Sequence, residues 1–128
     1  MKKKTAEARK DEAKLRRTSR AEARDVGISP QKARLVIDLI RGHLVNDAIG
    51  ILRMTNKGIS PAIEKLVRSA VANAENKSAD VDVDKLRIKT AYVNDGSRQK
   101  RVRPAPMGRA YRYQRRTAHI VVELSDRE

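Results

Sequence analysis

The sequence predicts an α+β fold, in which three helices pack on a small antiparallel sheet and a long basic β-hairpin protrudes from it. Three apolar stripes recur at the helical period between residues 30 and 76, and two later stretches alternate at the strand period. An arginine-rich segment without apolar periodicity separates those two stretches. A chain of 128 residues fills one modest core, so we expect a basic N-terminal extension of residues 1–20 and a single domain of residues 21–128.

The first helix is predicted to begin at Ser29-Pro30. A serine hydroxyl can accept a bond from a free N-terminal N–H, and proline suits the first helical position, where no N–H is needed. Gly42 provides a stop signal after Arg41. The apolar residues at i, i+3, i+4 and i+7 are Ala33, Val36, Ile37 and Ile40.

Two further helices are predicted. Asn46 can cap a shorter second helix that ends near Gly58, although Gly50 within it disfavours the helical state. Ser60-Pro61 repeats the start signal and precedes the longest apolar stripe, so we expect the third helix to lie at the centre of the core. The stripes are Ala48, Ile49, Ile51 and Leu52 in the second helix, and Ile63, Leu66, Val67, Ala70, Val71 and Ala74 in the third.

The period then changes from helix to strand. Leu86 and Ile88 alternate with Lys85, Arg87 and Lys89, which is typical of a strand with one face on the core and the other on a polyanion. A matching strand near the end alternates through Ala118, Ile120, Val122 and Leu124. Antiparallel pairing would join the two into a hairpin of about residues 85–124, with a short third strand around Glu22 to Val26.

The segment between these strands has no acid after Asp95. Arginine dominates there, and a guanidinium matches phosphate oxygens bidentately and stacks on bases. Tyr111 and Tyr113 add aromatic faces that suit splayed RNA bases. Arms of roughly 20 residues at ~3.3 Å each would extend on the order of 60 Å. We therefore expect residues 96–116 to be embedded in RNA rather than to form a solvated loop. The cations are Arg98, Lys100, Arg101, Arg103, Arg109, Arg112, Arg115 and Arg116.

Composition points to the same kind of partner. The formal net charge is +14, and nucleic acid is the polyanion that fits best, because each neutralised phosphate releases counterions. No apolar run is long enough to span a bilayer and the chain has neither Trp nor Phe, so a membrane is not an expected partner. The absence of cysteine agrees with the cytoplasm, and no apolar signal segment follows the N-terminal lysines.

The sequence offers little support for an enzyme. It shows no nucleophile and base at a recognisable spacing and no phosphate-binding glycine pattern, so no catalytic residue, cofactor or metal is expected. His119 stands on the polar side of its strand and is expected to face RNA or solvent, and His43 lies in a turn. Asp80, Asp82 and Asp84 would share a face if extended and could bind a hard cation, but a solvated acidic segment is the preferred interpretation.

Several separated motifs resemble, in order, those of the ribosomal protein L22 family. The resemblance extends from about Arg20 to Asp126. The motifs are Ser29-Pro30-Gln31-Lys32-Ala33-Arg34, Ile40-Arg41-Gly42, Ser69-Ala70-Val71-Ala72-Asn73-Ala74-Glu75-Asn76, Gly108-Arg109-Ala110 and Arg116-Thr117-Ala118-His119-Ile120.

The resemblance implies a component of the large ribosomal subunit in the cytoplasm. Its partners would be large-subunit rRNA of several domains, neighbouring large-subunit proteins and the nascent peptide, and its hairpin tip would line the exit tunnel near the macrolide site. Lys32, Arg34 and Arg41 look like rRNA contacts of the globular domain, with Asn73 and Asn76 as weaker candidates. The tip would comprise Gln99, Lys100, Arg101, Val102, Arg103, Pro104, Ala105, Pro106, Met107, Gly108 and Arg109. The chain departs from the family at Ala105-Pro106-Met107, where basic residues are common.

Other interpretations of the same residues remain open. Without the resemblance, the solvated face of an amphipathic helix is the favoured interpretation of Lys32, Arg34 and Arg41. Asn73 and Asn76 can simply bond local backbone near a helix end. A nucleoid protein that grips DNA with basic β-arms would use a tip proline as a wedge, and Pro104 and Pro106 suit that role. Such proteins are usually dimers, whereas no second large apolar face predicts a homo-oligomer here. A free cationic RNA chaperone is the third class.

Overall fold

A computed structural model describes residues 18–126, and the α+β prediction is confirmed. The strands are β1 (Thr18–Val26), β2 (Arg87–Pro104) and β3 (Ala110–Ser125). The helices are α1 (Pro30–Ile40), α2 (Val45–Met54) and α3 (Ser60–Lys77). Short 3-10 turns occur at Val83–Lys85 and Pro106–Gly108. Residues 1–17 of the predicted extension lie outside the described residues, and its last three residues belong to β1.

The sheet has the strand order β1-β3-β2 and is antiparallel throughout. β3 is therefore the central strand, and β1 and β2 are its two edges. α3 packs on β1 and β3, and α1 packs on β2, so the helices cover one face of the sheet. None of the helices in residues 18–126 is long and apolar enough to cross a membrane.

The core lies between the helices and that face of the sheet. The alternating residues of β3 face it, and they pack with the apolar stripes that the helical period predicts. Ile37 and Ile63 from the helices and Ile88 and Ile120 from the strands are among its largest fully buried side chains. Of the predicted stripes, only Ile49, Ile51 and Val71 are partly rather than fully buried.

The ends of α1 differ in how well they were predicted. Pro30 occupies the start of the helix, but the Ser29 hydroxyl makes no capping hydrogen bond among the described residues. The Ser29 carbonyl instead accepts the Ala33 N–H at 3.2 Å. Gly42 has a φ of +81°, the left-handed conformation that stops a helix, and its N–H donates to the Ile88 carbonyl at 3.0 Å.

Both boundaries of α2 were predicted wrongly. The residue before the helix is Leu44, and Asn46 lies inside it with its side-chain amide donating to Asp84 Oδ1 at 3.0 Å. The helix ends at Met54 rather than near Gly58, and the extended backbone of Thr55 (ψ 116°) terminates it. The Thr55 hydroxyl donates to the Ile51 carbonyl at 2.7 Å.

The observed ends of α3 and of the three strands also differ from the predicted ones. Ile59, not Ser60, precedes α3, so Ser60 is the first helical residue rather than the cap. β1 starts four residues before the predicted Glu22. β2 and β3 both extend into the segment that separates the two predicted strands. β2 ends only at Pro104, and β3 already begins at Ala110.

Candidate RNA-binding surface

The hairpin is the part of the chain that extends beyond the core. Seven cross-strand pairs, from Arg98 opposite Arg116 to Pro104 opposite Ala110, form its arms. The whole of β2 has 18 residues and would span about 60 Å, but its first half belongs to the sheet. The arm that stands clear of the helices is residues 98–104, which is about 23 Å at ~3.3 Å per residue. The protruding part is thus shorter than the sequence suggests.

The tip is a closed five-residue loop. The Ala105 N–H donates to the Arg109 carbonyl at 2.9 Å, and Pro106 begins a 3-10 turn inside this pair. Met107 and Gly108 have φ values of +60° and +69°, so two consecutive left-handed residues reverse the chain. Met107 is 94% exposed and is the most exposed of the hairpin's large hydrophobic side chains.

Charge on the hairpin has one sign beyond its base. No Asp or Glu occurs between Gly96 and Thr117, whereas eight Lys and Arg residues do. The acid at the base, Asp95, pairs with Arg98 at 3.3 Å and with Arg34 at 3.6 Å. All eight cations are exposed. Their mutual repulsion opposes close pairing of the arms in water and is relieved by a polyanion.

An aromatic contact adds a stacking element to this surface. The Arg103 guanidinium lies over the Tyr113 ring, 5.2 Å from the ring centroid, in cation–π geometry. Tyr111, which stands opposite Arg103, is 61% exposed. Both tyrosines singled out in the sequence therefore lie among guanidinium groups on the hairpin.

A polar junction with a β-bulge on each outer strand marks the base of the hairpin. Gly96 and Ser97 of β2 stand opposite Thr117, and Arg24 and Asp25 of β1 stand opposite His119. β3 has no extra residue at either place, so the bulges flank it two residues apart. Bulges of this kind bend the strand that carries them, which sets the direction in which the hairpin leaves the domain.

Hydrogen bonds tie this junction together. The Ser97 hydroxyl donates to Asp25 Oδ1 at 3.3 Å and so joins the two outer strands, while the Thr117 hydroxyl donates to the Ser97 carbonyl at 2.7 Å. His119 Nδ1 accepts the Asp25 backbone N–H at 3.1 Å. The acceptor role of Nδ1 places the proton of the neutral ring on Nε2. His119 is half-buried, so its prediction as an RNA-facing residue concerns the Nε2 side alone.

Arg34 and Arg41 also bind within the chain. Arg34 donates through Nε and Nη2 to the Val93 carbonyl at 3.3 and 3.2 Å, and Arg41 donates in the same way to the Ala91 carbonyl at 3.1 and 2.8 Å. Arg41 also pairs with Asp38 at 2.9 Å. Their side chains remain 52% and 49% exposed, so both keep donors for a second partner.

The opposite edge of the sheet is covered by the same kind of contact. Asn73 donates to the Arg20 carbonyl at 3.0 Å, and Lys77 donates to the Thr18 carbonyl at 2.9 Å. At each edge, the two carbonyls that accept these side-chain hydrogen bonds belong to residues two positions apart. This is the spacing of outward-facing groups on an edge strand. The sequence did not predict these contacts. They join residues 50 or more positions apart, and no local pattern reports them.

The other predicted contact residues lie away from the protruding arms of the hairpin. Lys85, Arg87 and Lys89 are exposed around the start of β2, at the far end of the strand from the tip, and Lys85 pairs with Asp82 at 3.1 Å. Lys32 is exposed on α1, and Asn76 is exposed near the end of α3. The structure thus separates these residues from the continuous cationic surface of the hairpin.

The acidic segment before β2 uses its carboxylates locally. Asp82 Oδ1 accepts the Asp84 N–H at 3.2 Å, and the Lys85 ammonium and this N–H together hold the pKa of Asp82 below its usual value. Asp84 is the acceptor for Asn46. No group of three metal-ligating side chains occurs within residues 18–126.

Comparison with known proteins agrees with the motifs. The family model described as ribosomal protein L22p/L17e matches residues 21–125. A protein of Solibacter usitatus named large ribosomal subunit protein uL22 is 61% identical over 109 residues, which are 85% of this chain and 96% of that protein. Proteins with the same name from Koribacter versatilis and Macrococcus caseolyticus are 56% and 49% identical, over 84% and 86% of this chain and 66% and 88% of their own lengths. The chain belongs to the ribosomal protein L22p/L17e family.

Proposed function

We propose that this chain is a structural constituent of the large ribosomal subunit in the cytoplasm, where it binds large-subunit rRNA, supports assembly and lines the nascent-peptide exit tunnel with its hairpin tip. The observation that carries the proposal is a hairpin with eight cations and no carboxylate between Gly96 and Thr117, extended beyond the hydrophobic core. Membership of a ribosomal protein family supports it and confirms the prediction of a protein that is not an enzyme.

The physical basis is the pairing of this hairpin with phosphate. The eight exposed cations of the hairpin are stable together when phosphates surround them, because each contact releases condensed counterions. Six of these eight cations are arginines within the paired arms, and their guanidinium forks suit phosphate oxygens. rRNA offers phosphates on all sides of an embedded arm, whereas a DNA duplex offers them on one.

The domain contributes a second, smaller set of rRNA contacts. Lys32 and the exposed halves of Arg34 and Arg41 would bind rRNA on the α1 side of the domain, with Asn73 and Asn76 on α3. Lys85, Arg87 and Lys89 would do so at the start of β2, and His119 at the junction. Neighbouring large-subunit proteins would adjoin this domain, and we propose neither a membrane partner nor a homo-oligomer.

The tunnel role belongs to the tip alone. Gln99 to Arg109 form the end of the hairpin, and Met107 is the most exposed of the hairpin's large hydrophobic side chains. With Ala105, Pro106 and Met107 at the turn, the tip presents an uncharged surface between flanking arginines. An uncharged lining would let a nascent peptide pass without ionic retention.

Sedimentation with large subunits through a high-salt wash tests the assembly role. Arg101→Gln with Arg115→Gln removes two hairpin cations, and Lys57→Gln with Lys65→Gln removes two exposed cations of the domain, so the change in net charge is matched. We expect the hairpin pair to lower retention on the subunit and the domain pair to leave it unchanged. Equal loss from both pairs would refute the hairpin as the principal contact, and preferential recovery of the wild-type protein with DNA would favour the nucleoid-protein interpretation.

A further inference from the structure

The two faces of the hairpin differ in chemistry because β3 runs through it without an extra residue. The pairings of β3 with both β1 and β2 place every bulge on the outer strands. Alternation along β3 is therefore continuous from Ala110 to Ser125. Ala118, Ile120, Val122 and Leu124 face the helices, so the odd-numbered residues face the opposite side of the sheet. We call it the open side because its hairpin residues are largely exposed, although Val121 and Ser125 on it are buried.

The open side carries all three tyrosines of the chain. Tyr111 and Tyr113 are odd-numbered residues of β3, and Tyr92 stands opposite Val121, another odd-numbered residue. The chain has no Trp or Phe. Directly opposite residues share a face, so Arg103 and Arg101 lie on the open side beside Tyr111 and Tyr113. Arg115, opposite Gln99, is the third cation of the paired arms on this side.

The helix side of the hairpin has no aromatic residue in its paired positions. Arg98 stands opposite Arg116, Lys100 opposite Gln114 and Val102 opposite Arg112. Four cations thus lie on this side. Together with Val102, Gln114 and the neighbouring Arg101 and Tyr113, three of them line a shallow concave surface along the arms.

We propose that the two faces of the hairpin bind different parts of the RNA, with unpaired bases stacked on the open side and phosphates held on the helix side. Tyr111 and Tyr113 supply the stacking planes. The Arg103 guanidinium, which lies over the Tyr113 ring at 5.2 Å from its centroid, adds a third planar group for a base to contact. The inference rests on the proposed RNA-binding function and deepens it.

Stacking and phosphate binding respond differently to salt and to strandedness. A base can stack on a tyrosine only when it is unpaired, and the contact releases few counterions. A phosphate contact is available on single strands and on duplexes alike, and its loss reduces the dependence of log affinity on log salt by about 0.7 to 0.9 per contact. Variants on the two faces can therefore be distinguished in the full-length protein.

The experiment compares binding of a short oligoadenylate with binding of an RNA duplex of equal strand length. Tyr111→Leu with Tyr113→Leu should weaken oligoadenylate binding by about 5- to 150-fold per ring and leave the duplex affinity and the salt slope unchanged. Tyr111→Phe with Tyr113→Phe keeps both rings and should retain the affinity. Arg112→Gln with Arg116→Gln should weaken the binding of both RNAs. It should also reduce the slope of log affinity against log salt by the amount expected for about two phosphate contacts.

Tyrosine emission gives a direct second measurement, since the chain lacks Trp. In Tyr92→Phe protein the remaining tyrosines are Tyr111 and Tyr113, and oligoadenylate should quench their fluorescence while the duplex should not. Equal loss of both ligands in the leucine pair, retained oligoadenylate affinity in that pair, or no quenching would overturn the face assignment. Failure of the wild-type protein to sediment with large subunits would instead refute the proposed function.

Discussion

Gly96 is the residue whose substitution should most directly disturb the base of the hairpin. It lies in the β2 bulge opposite Thr117, and a Cβ placed on it would overlap Thr117 Oγ1 and lie 3.1 Å from the Thr117 carbonyl carbon and oxygen. The hydroxyl cannot turn away freely, because it donates to the Ser97 carbonyl at 2.7 Å. Gly96→Ala therefore forces either the loss of that hydrogen bond or a movement of the backbone.

The expected destabilisation follows from these contacts. Loss of the Thr117 hydrogen bond costs about 1 kcal/mol, and overpacking against the backbone costs about 1 to 3 kcal/mol. A glycine-to-alanine change also restricts the unfolded chain, which offsets roughly 0.4 to 1 kcal/mol. We expect a net loss of about 1 to 3 kcal/mol in the free energy of unfolding, measured by urea titration of the free protein.

Gly50 provides the matched control, because it lies inside α2 and a Cβ there would meet nothing within 4 Å. Gly50→Ala should stabilise the protein by up to about 1 kcal/mol. Thr117→Ala should cost less in the Gly96→Ala background than in the wild type, because the overlap has already weakened its hydrogen bond. A Gly96→Ala protein as stable as the Gly50→Ala protein, or strictly additive effects at 96 and 117, would refute the reasoning.

Four other predictions follow from the charges, register and core. If about 6 to 10 phosphates are neutralised, RNA affinity should fall roughly 10³- to 10⁵-fold between 50 and 200 mM salt, and a salt-independent affinity would contradict the phosphate contacts. Deleting Gln99-Lys100-Arg101 moves the residues beyond the deletion to the other face of the hairpin. Subunits should therefore assemble but respond differently to macrolides or stalling peptides. The control deletes Lys100-Arg101 together with their partners Tyr113-Gln114, which keeps every remaining residue on its own face. Leu66→Asp with Val67→Asp buries unpaired charge and should abolish assembly in subunit profiles, unlike the tip deletion. Burial raises the pKa of Glu64, but hydrogen bonds from Arg53 and Arg68 outweigh burial, so its pKa in the folded protein is lowered. Glu64→Gln should therefore reduce the free energy of unfolding at neutral pH. In acid titrations this difference from the wild type should vanish as the pH falls below the lowered pKa.

Local patterns in the sequence predicted the elements of the fold but not their ends. The stripe of α1 and the alternation of β3 are periodic over several residues, and burial enforces them. Capping depends on single side chains that have competing partners. Asn46 was predicted wrongly as a cap because Asp84, 38 residues later, accepts its amide.

The candidate surface was predictable where composition decides it and not where register does. The run of arginines and the two tyrosines identify the hairpin without any coordinates. Its division into two faces depends on where the bulges fall, and its base depends on contacts such as Ser97 with Asp25, 72 residues apart. The edge contacts of Arg34 and Arg41 are equally nonlocal, so their sequence-based interpretation as RNA contacts remains a prediction beside the role that the structure shows.

Crosslinking from a single cysteine at the tip tests the proposed function most directly. The chain has no cysteine, so Met107→Cys and Met54→Cys each introduce one thiol at a methionine that is 94% or 90% exposed. Ribosomes with large subunits that carry each variant would be stalled on a nascent peptide that bears a thiol-reactive group. We expect a crosslink from position 107 at the tip and none from position 54 on α2. Crosslinks of equal yield from both positions, or from position 54 alone, would contradict a tip that lines the exit tunnel.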